Sequence, residues 1–178
     1  MESIVMLVID MQQGLFDQAP RFDAEGVVDR INRLTERVRA ANGTILFIQH
    51  DGPDGDPLEP GTHGWEILGT LDRREKDPVI RKTACDAFLG TGLADTLNQL
   101  RATTLIITGC ATDFCVDTTL RSATSREYAV LVPTDCHTTA DRPHLDAKTI
   151  IAHHNFMWEN LILPEHPVKA VPAQNLEI

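Results

Sequence analysis

Apolar positions along the chain recur with two periods. Residues 4–9, IVMLVI, form an unbroken apolar run ending in Asp10, the pattern of a strand buried on both faces of a parallel sheet. Val27, Ile31, Leu34 and Val38 then fall at helical spacing, and Asn42-Gly43 follows as the pair that closes the helix. Residues 44–49 read as a second strand. Between 50 and 64 stand four glycines and three prolines, so this stretch is a loop, long enough to be a functional excursion rather than a connector. Residues 78–82 read as a short third strand, and Leu93, Leu97 and Leu100 mark a second helix. Residues 104–108 read as a fourth strand that runs into Gly109-Cys110-Ala111-Thr112-Asp113. A helix from about 113 to 125 follows, then a fifth strand over 128–132 ended by Pro133. Residues 144 to about 160 read as a last long helix, and 168–171 as a short sixth strand. There is no internal repeat, low-complexity segment or linker.

Strands that alternate with helices imply an α/β fold with a mainly parallel sheet covered on both sides. The expectation is a three-layer α/β/α domain of five or six strands occupying residues 1–178. In such sheets ligands bind beyond the carboxyl ends of the strands. Asp10 ends the first strand, Lys82 ends the third, and Cys115 lies just past the fourth. Three residues with chemical capability therefore fall at one sheet edge.

Composition narrows the function classes. A net charge of −10 repels phosphate backbones, so no nucleic-acid partner is expected. No apolar run is long enough to span a bilayer, and MESIVMLVID lacks the basic region of a signal peptide. A cytoplasmic, reducing setting is expected, in which Cys85, Cys110, Cys115 and Cys136 stay thiols. No C-x-x-C pair stands among them, and no G-x-G-x-x-G follows the first strand, so zinc-ribbon, thioredoxin-type and dinucleotide-binding readings have no support.

Each of the three edge residues, taken alone, has an ordinary alternative. Cys115 is expected in the first turn of a helix, capped by Thr112 or Asp113, where free backbone N–H groups lower a thiol pKa. Its alternative is an inert core cysteine. Asp10 after a buried run is costly unless paired or poised for proton transfer; its alternative is a loop hydrogen-bonder. For Lys82 the alternative is a solvated strand end.

Read together, the segments V-I-D-M-Q at 8–12, R-K-T-A-C-D-A-F at 81–88 and T-G-C-A-T-D-F-C-V at 108–116 resemble, in order and spacing, the signatures of isochorismatase-like cysteine hydrolases. G-T-H-G-W-E-I at 61–67 is similar too, and the resemblance covers nearly the whole chain. It implies a Rossmann-like fold with an Asp10-Lys82-Cys115 triad. Asp10 is then the general base for the thiol, and Lys82 the cation that holds the pair. The N–H groups of Ala111 and Cys115 would form the oxyanion hole, next to a cis Cys110–Ala111 peptide. The implied reaction is hydrolysis of a small amide, ureido or imide-like compound through a thioester on Cys115. A non-amide bond, or a binding protein with a vestigial triad, remains the alternative.

Aromatic residues make up 5% of the chain, and several cluster near these motifs. Phe16, Trp65, Phe88 and Phe114 are candidate substrate contacts, each with core or rim packing as its alternative. Phe22 stands in a loop placed to act as a lid. Thr112 either touches substrate or caps the helix. Nicotinamidases, one branch of the family, hold a metal through an Asp-x-His pair and further histidines. Gln49-His50-Asp51 with a distant His63 departs from that pattern, so neither metal nor cofactor is expected. The resemblance implies a homo-oligomer, for which Phe156, Met157 and Trp158 are candidate interface residues, with packing on the sheet as their alternative.

Overall fold

A computed structural model describes residues 3–178 of the chain. Among these residues a sheet of seven strands, more than the five or six expected, runs β1 (Ser3–Ile9), β2 (Thr44–His50), β3 (Val79–Lys82), β4 (Ala102–Cys110), β5 (Ala129–Pro133), β6 (His137–Thr138) and β7 (Lys169–Val171). The spatial order is β3-β2-β1-β4-β5-β7, with β6 paired to the end of β4, and every pairing is parallel. The extra strand is β6, two residues that carry no periodicity of their own. It exists because Gly109 and Cys110 outrun β5 and pair with His137 and Thr138 instead.

The helices are α1 (Gln13–Gln18), α2 (Ala24–Ala40), α3 (Leu93–Gln99), α4 (Asp117–Thr124) and α5 (Ala147–Glu159). Strand side chains alternate between two buried clusters, one on each face of the sheet. Val5, Leu7, Ile9, Leu46 and Ile48 point toward Leu93 and Leu97 of α3, Leu120 of α4 and Trp158 of α5. Met6, Val8, Ile45 and Phe47 point toward Val27, Ile31, Leu34 and Val38 of α2. The apolar stripe read along α2 is thus its buried face, and Asn42, at φ 61°, takes the left-handed turn that ends it.

The helix expected from 113 begins differently. A π-turn, Thr112–Val116, precedes α4, with Val116 N–H bonded back to Ala111 O. Neither Thr112 nor Asp113 caps a helix through its side chain. Asp113 pairs instead with Arg142 at 2.8 Å and accepts from Thr139 at 2.6 Å. π-turns often mark functional sites, since the added residue re-aims the side chains on it.

The chain leaves β1 to build β2 and β3 on one side, then crosses to build β4 and β5 on the other. The strand order therefore reverses between β1 and β4, the crevice where open parallel sheets hold ligands. Ile9 pairs with Gly109 there. A Cβ on Gly109 would lie 2.1 Å from Ile9 O, and its φ is 116°, so only glycine permits the close approach.

Candidate active site

Asp10 follows β1 with φ 46°, a left-handed conformation that Asp tolerates better than most residues. Its backbone N–H donates to Ile48 O at 2.9 Å, and its side chain is buried. Lys82 sits two strands away, in register with His50. Its stem reaches past the end of β2, so that Nζ lies 2.6 Å from Asp10 Oδ2 and 3.3 Å from Cys115 Sγ. Nζ also donates to Ala84 O at 2.9 Å and stands 3.3 Å from His50 Nδ1. The fold thus brings together the three residues that the motifs singled out.

Burial governs the protonation of this cluster. It raises the Asp10 pKa against the opposing pull of Lys82. Lys82 keeps its proton firmly, because Asp10 and Cys115 outweigh the cost of its burial. The Cys115 thiol is raised by burial first and then by the Asp10 charge, which together overcome Lys82. This reverses the depressed thiol expected from a helix N-terminus, because dehydration and a neighbouring carboxylate outweigh the partial charge of a few N–H groups. Lys82 is therefore the site's ammonium, and the resting cysteine beside it is a thiol. Asp10 Oδ1 is buried and takes no hydrogen bond among the described residues.

The Cys110–Ala111 peptide is cis, as the resemblance implies. Among the hydrogen bonds of the described residues none takes the Ala111 N–H. An unpaired backbone N–H is a donor free to bind an acceptor.

The aromatic candidates separate. Phe114 is 51% exposed, with the Arg142 guanidinium 4.9 Å from its ring centre. Phe88 is buried against Tyr128 at 6.2 Å, with Arg126 at 4.5 Å. It is a core residue, because the turn between α4 and β5 delivers those partners, and it is only 6% exposed. Phe16 packs on the α2 side of the sheet. Trp65 donates from Nε1 to Asp51 at 2.8 Å and carries Arg81 over its ring. It lines a cavity of about 510 Å³ with Gln49, Ile67, Arg73, Val79 and Arg81, and none of Asp10, Lys82 and Cys115 lines that cavity. The reason is strand alternation: Val79 and Arg81 face one side of β3, Ile80 and Lys82 the other.

Thr112 is fully buried, and its hydroxyl lies 2.9 Å from His137 Nδ1. It does not cap the helix. Asn155 donates from Nδ2 to Thr134 O, so its Oδ1 faces His137 Nε2 at 3.0 Å and must accept. His137 therefore carries its proton on Nε2, and Thr112 donates to Nδ1. The backbone of Phe22 is bonded to Thr138 and Thr139, so the proposed lid is tied to the strand beside the site. Among the described residues no group of three or more His, Cys, Asp or Glu is arranged to hold a metal ion. His50 is turned to Lys82, and His63 pairs with Glu66 at 3.1 Å.

Two positions escaped the sequence reading. Gln12 lies in the first motif but carried no role. Its buried amide donates to His50 O and Trp65 O and accepts from His50 N–H at 2.8 Å, clamping the ends of β1 and β2 to the loop. His50, by sequence only a possible metal ligand, touches Lys82 instead. Its place at the end of the second strand was the available signal.

The fold and this site define the isochorismatase-like class of α/β proteins. The chain belongs to the isochorismatase family, whose domain it matches over residues 5–158. A streptothricin hydrolase of Streptomyces noursei is 34% identical over 139 residues, 78% of this chain and 50% of that protein. The chain thus spans about half the length of the streptothricin hydrolases it matches. The ureidoacrylate amidohydrolase RutB of Methylorubrum extorquens is 28% identical over 181 aligned residues, 81% of this chain and 73% of that one. A solved isochorismatase family protein superposes with a TM-score of 0.85 at 32% identity, covering 94% of this chain and 97% of the other.

Proposed function

We propose that the protein is a metal-independent cysteine hydrolase that cleaves the C–N bond of a small amide, ureido or imide-like compound. The observation that carries this reading is the buried Lys82 ammonium, 2.6 Å from the Asp10 carboxylate and 3.3 Å from Cys115 Sγ. Asp10 takes the thiol proton as Sγ attacks the substrate carbonyl. Lys82 compensates the negative charge as it passes from carboxylate to sulfur. The N–H groups of Ala111 and Cys115 receive the oxyanion. Collapse breaks the C–N bond, and Asp10 returns its proton to the leaving nitrogen. A water then gives a proton to Asp10 and attacks the thioester; Asp10 passes that proton to the departing sulfur, releasing the acid. Relatives named streptothricin hydrolase and ureidoacrylate amidohydrolase support this bond class. The same reading has the enzyme cytoplasmic and homo-oligomeric, with Phe114 at the mouth of its site.

The test is ammonia or amine release from a panel of small amides and ureides, with Cys115→Ala alongside. Turnover in the native protein should fall at least about a thousandfold in the variant, whose remaining groups bind but cannot form the thioester. A variant as active as the native protein would remove Cys115 from the mechanism. Cleavage of other bonds, with no nitrogen released, would favour the non-amide alternative.

A further inference from the structure

His50 is the one side-chain partner of Lys82 that the triad chemistry leaves unused. Nζ of Lys82 can only donate, so His50 Nδ1, 3.3 Å away, must accept, and the ring is neutral with its proton on Nε2. That proton finds no partner: Nε2 makes no hydrogen bond among the described residues, and it is not among their buried unsatisfied atoms. The backbone of His50 is held on both sides by Gln12. The ring is therefore fixed by a strand end, a clamp and a lysine, with one donor free. Its charged neighbours are Lys82 on β3, Asp10 after β1, and Asp51 and Asp56 in the loop. Burial and the Lys82 charge both disfavour protonating it, which keeps the ring neutral. Lys82 Nζ is also 3.3 Å from Cys115 Sγ, so the imidazole and the sulfur flank one ammonium.

We propose that His50 is a specificity-determining residue whose Nε2–H donates to a second acceptor on the substrate, a carbonyl or carboxylate oxygen just beyond the scissile carbonyl. This rests on Cys115 being the nucleophile. It selects diamides, ureido compounds and amide-acids over simple monoamides, because a fixed donor gains a hydrogen bond only from a substrate that carries a second acceptor.

Two variants separate this role from mere support of Lys82. The Asn amide of His50→Asn ends where Nδ1 stands, keeping the acceptor for Lys82 but losing the outer donor. The longer Gln amide of His50→Gln reaches the place of Nε2 and restores that donor. The readout is the rate of Cys115 modification by iodoacetamide, which carries a carbonyl, and by methyl methanethiosulfonate, which does not. Loss of one hydrogen bond should slow iodoacetamide about tenfold in His50→Asn, with recovery to within about threefold in His50→Gln. The thiosulfonate rate should be the same in all three proteins. Equal slowing of both reagents in His50→Asn, or slowing of neither, overturns the proposal and leaves the hydrolase reading standing. A native Cys115 inert to both reagents overturns the two together. Nitrogen-15 NMR of the imidazole gives an independent check: a ring protonated on Nδ1, or doubly protonated at pH 7, also refutes it.

Discussion

His137 is buried among Thr112, Asn155 and Trp158, and burial pushes its pKa from the ordinary 6.5 down to about 4. Between those two values the unfolded chain binds a proton that the folded chain refuses. Its contribution to stability is therefore complete above pH 6.5 and is lost as the pH falls toward 4, by about 3 kcal/mol in all. Denaturant unfolding at pH 7 and at pH 4 measures it. His137→Gln, which cannot titrate, should lose about 3 kcal/mol less than the native protein across that interval. Equal losses in both would mean that the ring does not stay neutral in the fold. A few residues away the same physics acts with the opposite sign on an acid. Burial raises Asp10 despite Lys82 beside it, which makes this carboxylate a stronger base for the Cys115 proton. Activity should accordingly fall away on the acid side above the ordinary carboxylate range.

At the scale of elements, the site depends on β1 and β4 lying closer together than side chains ordinarily permit. Gly109 meets the Ile9 backbone, and the peptide that carries the Ala111 N–H lies one residue further on. Gly109→Ala should destabilise the fold by about 3 kcal/mol, since the added carbon strikes backbone and the φ disfavours any side chain. Gly90 also has a positive φ, but a Cβ there would meet open space, so Gly90→Ala should cost only about 1 kcal/mol. Unfolding midpoints of the two variants compare contact with dihedral directly; similar shifts would show that the close approach of β1 and β4 is not what requires glycine. The strands and helices themselves were largely legible. Each long element carries its period in consecutive residues, as in the run before Asp10 and the stripe of α2. What periodicity missed was short. β6 is two residues defined by its partner, and the π-turn differs from a helix start by a single residue.

For the whole molecule, the exposed side of α5 bears on assembly. Trp158 leaves the set of interface candidates: it is fully buried, with Nε1 2.7 Å from Asp117 Oδ1 and its ring against His137. Phe156 at 62% exposure and Met157 at 37% remain on the surface. Sedimentation at micromolar concentration should give a dimer or larger species that Phe156→Glu weakens, since a charge placed in an apolar contact is left without a partner. A native monomer would contradict it. Among the described residues no helix is long and apolar enough to cross a membrane.

By itself the sequence determined the order of strands and helices, the parallel sheet and the sheet edge at which Asp10, Lys82 and Cys115 fall. These follow from periods and from strand ends, which neighbouring residues encode. The tertiary structure alone decided what each side chain meets. It put Trp65 and Lys82 on opposite faces of β3, sank Phe88 and Trp158 into the core, and spent Thr112 on His137. It turned His50 from a possible metal ligand into a partner of Lys82, and it reversed the direction of the Cys115 pKa. Burial and charge pairing are sums over residues far apart in the chain, so no local window of sequence contains them.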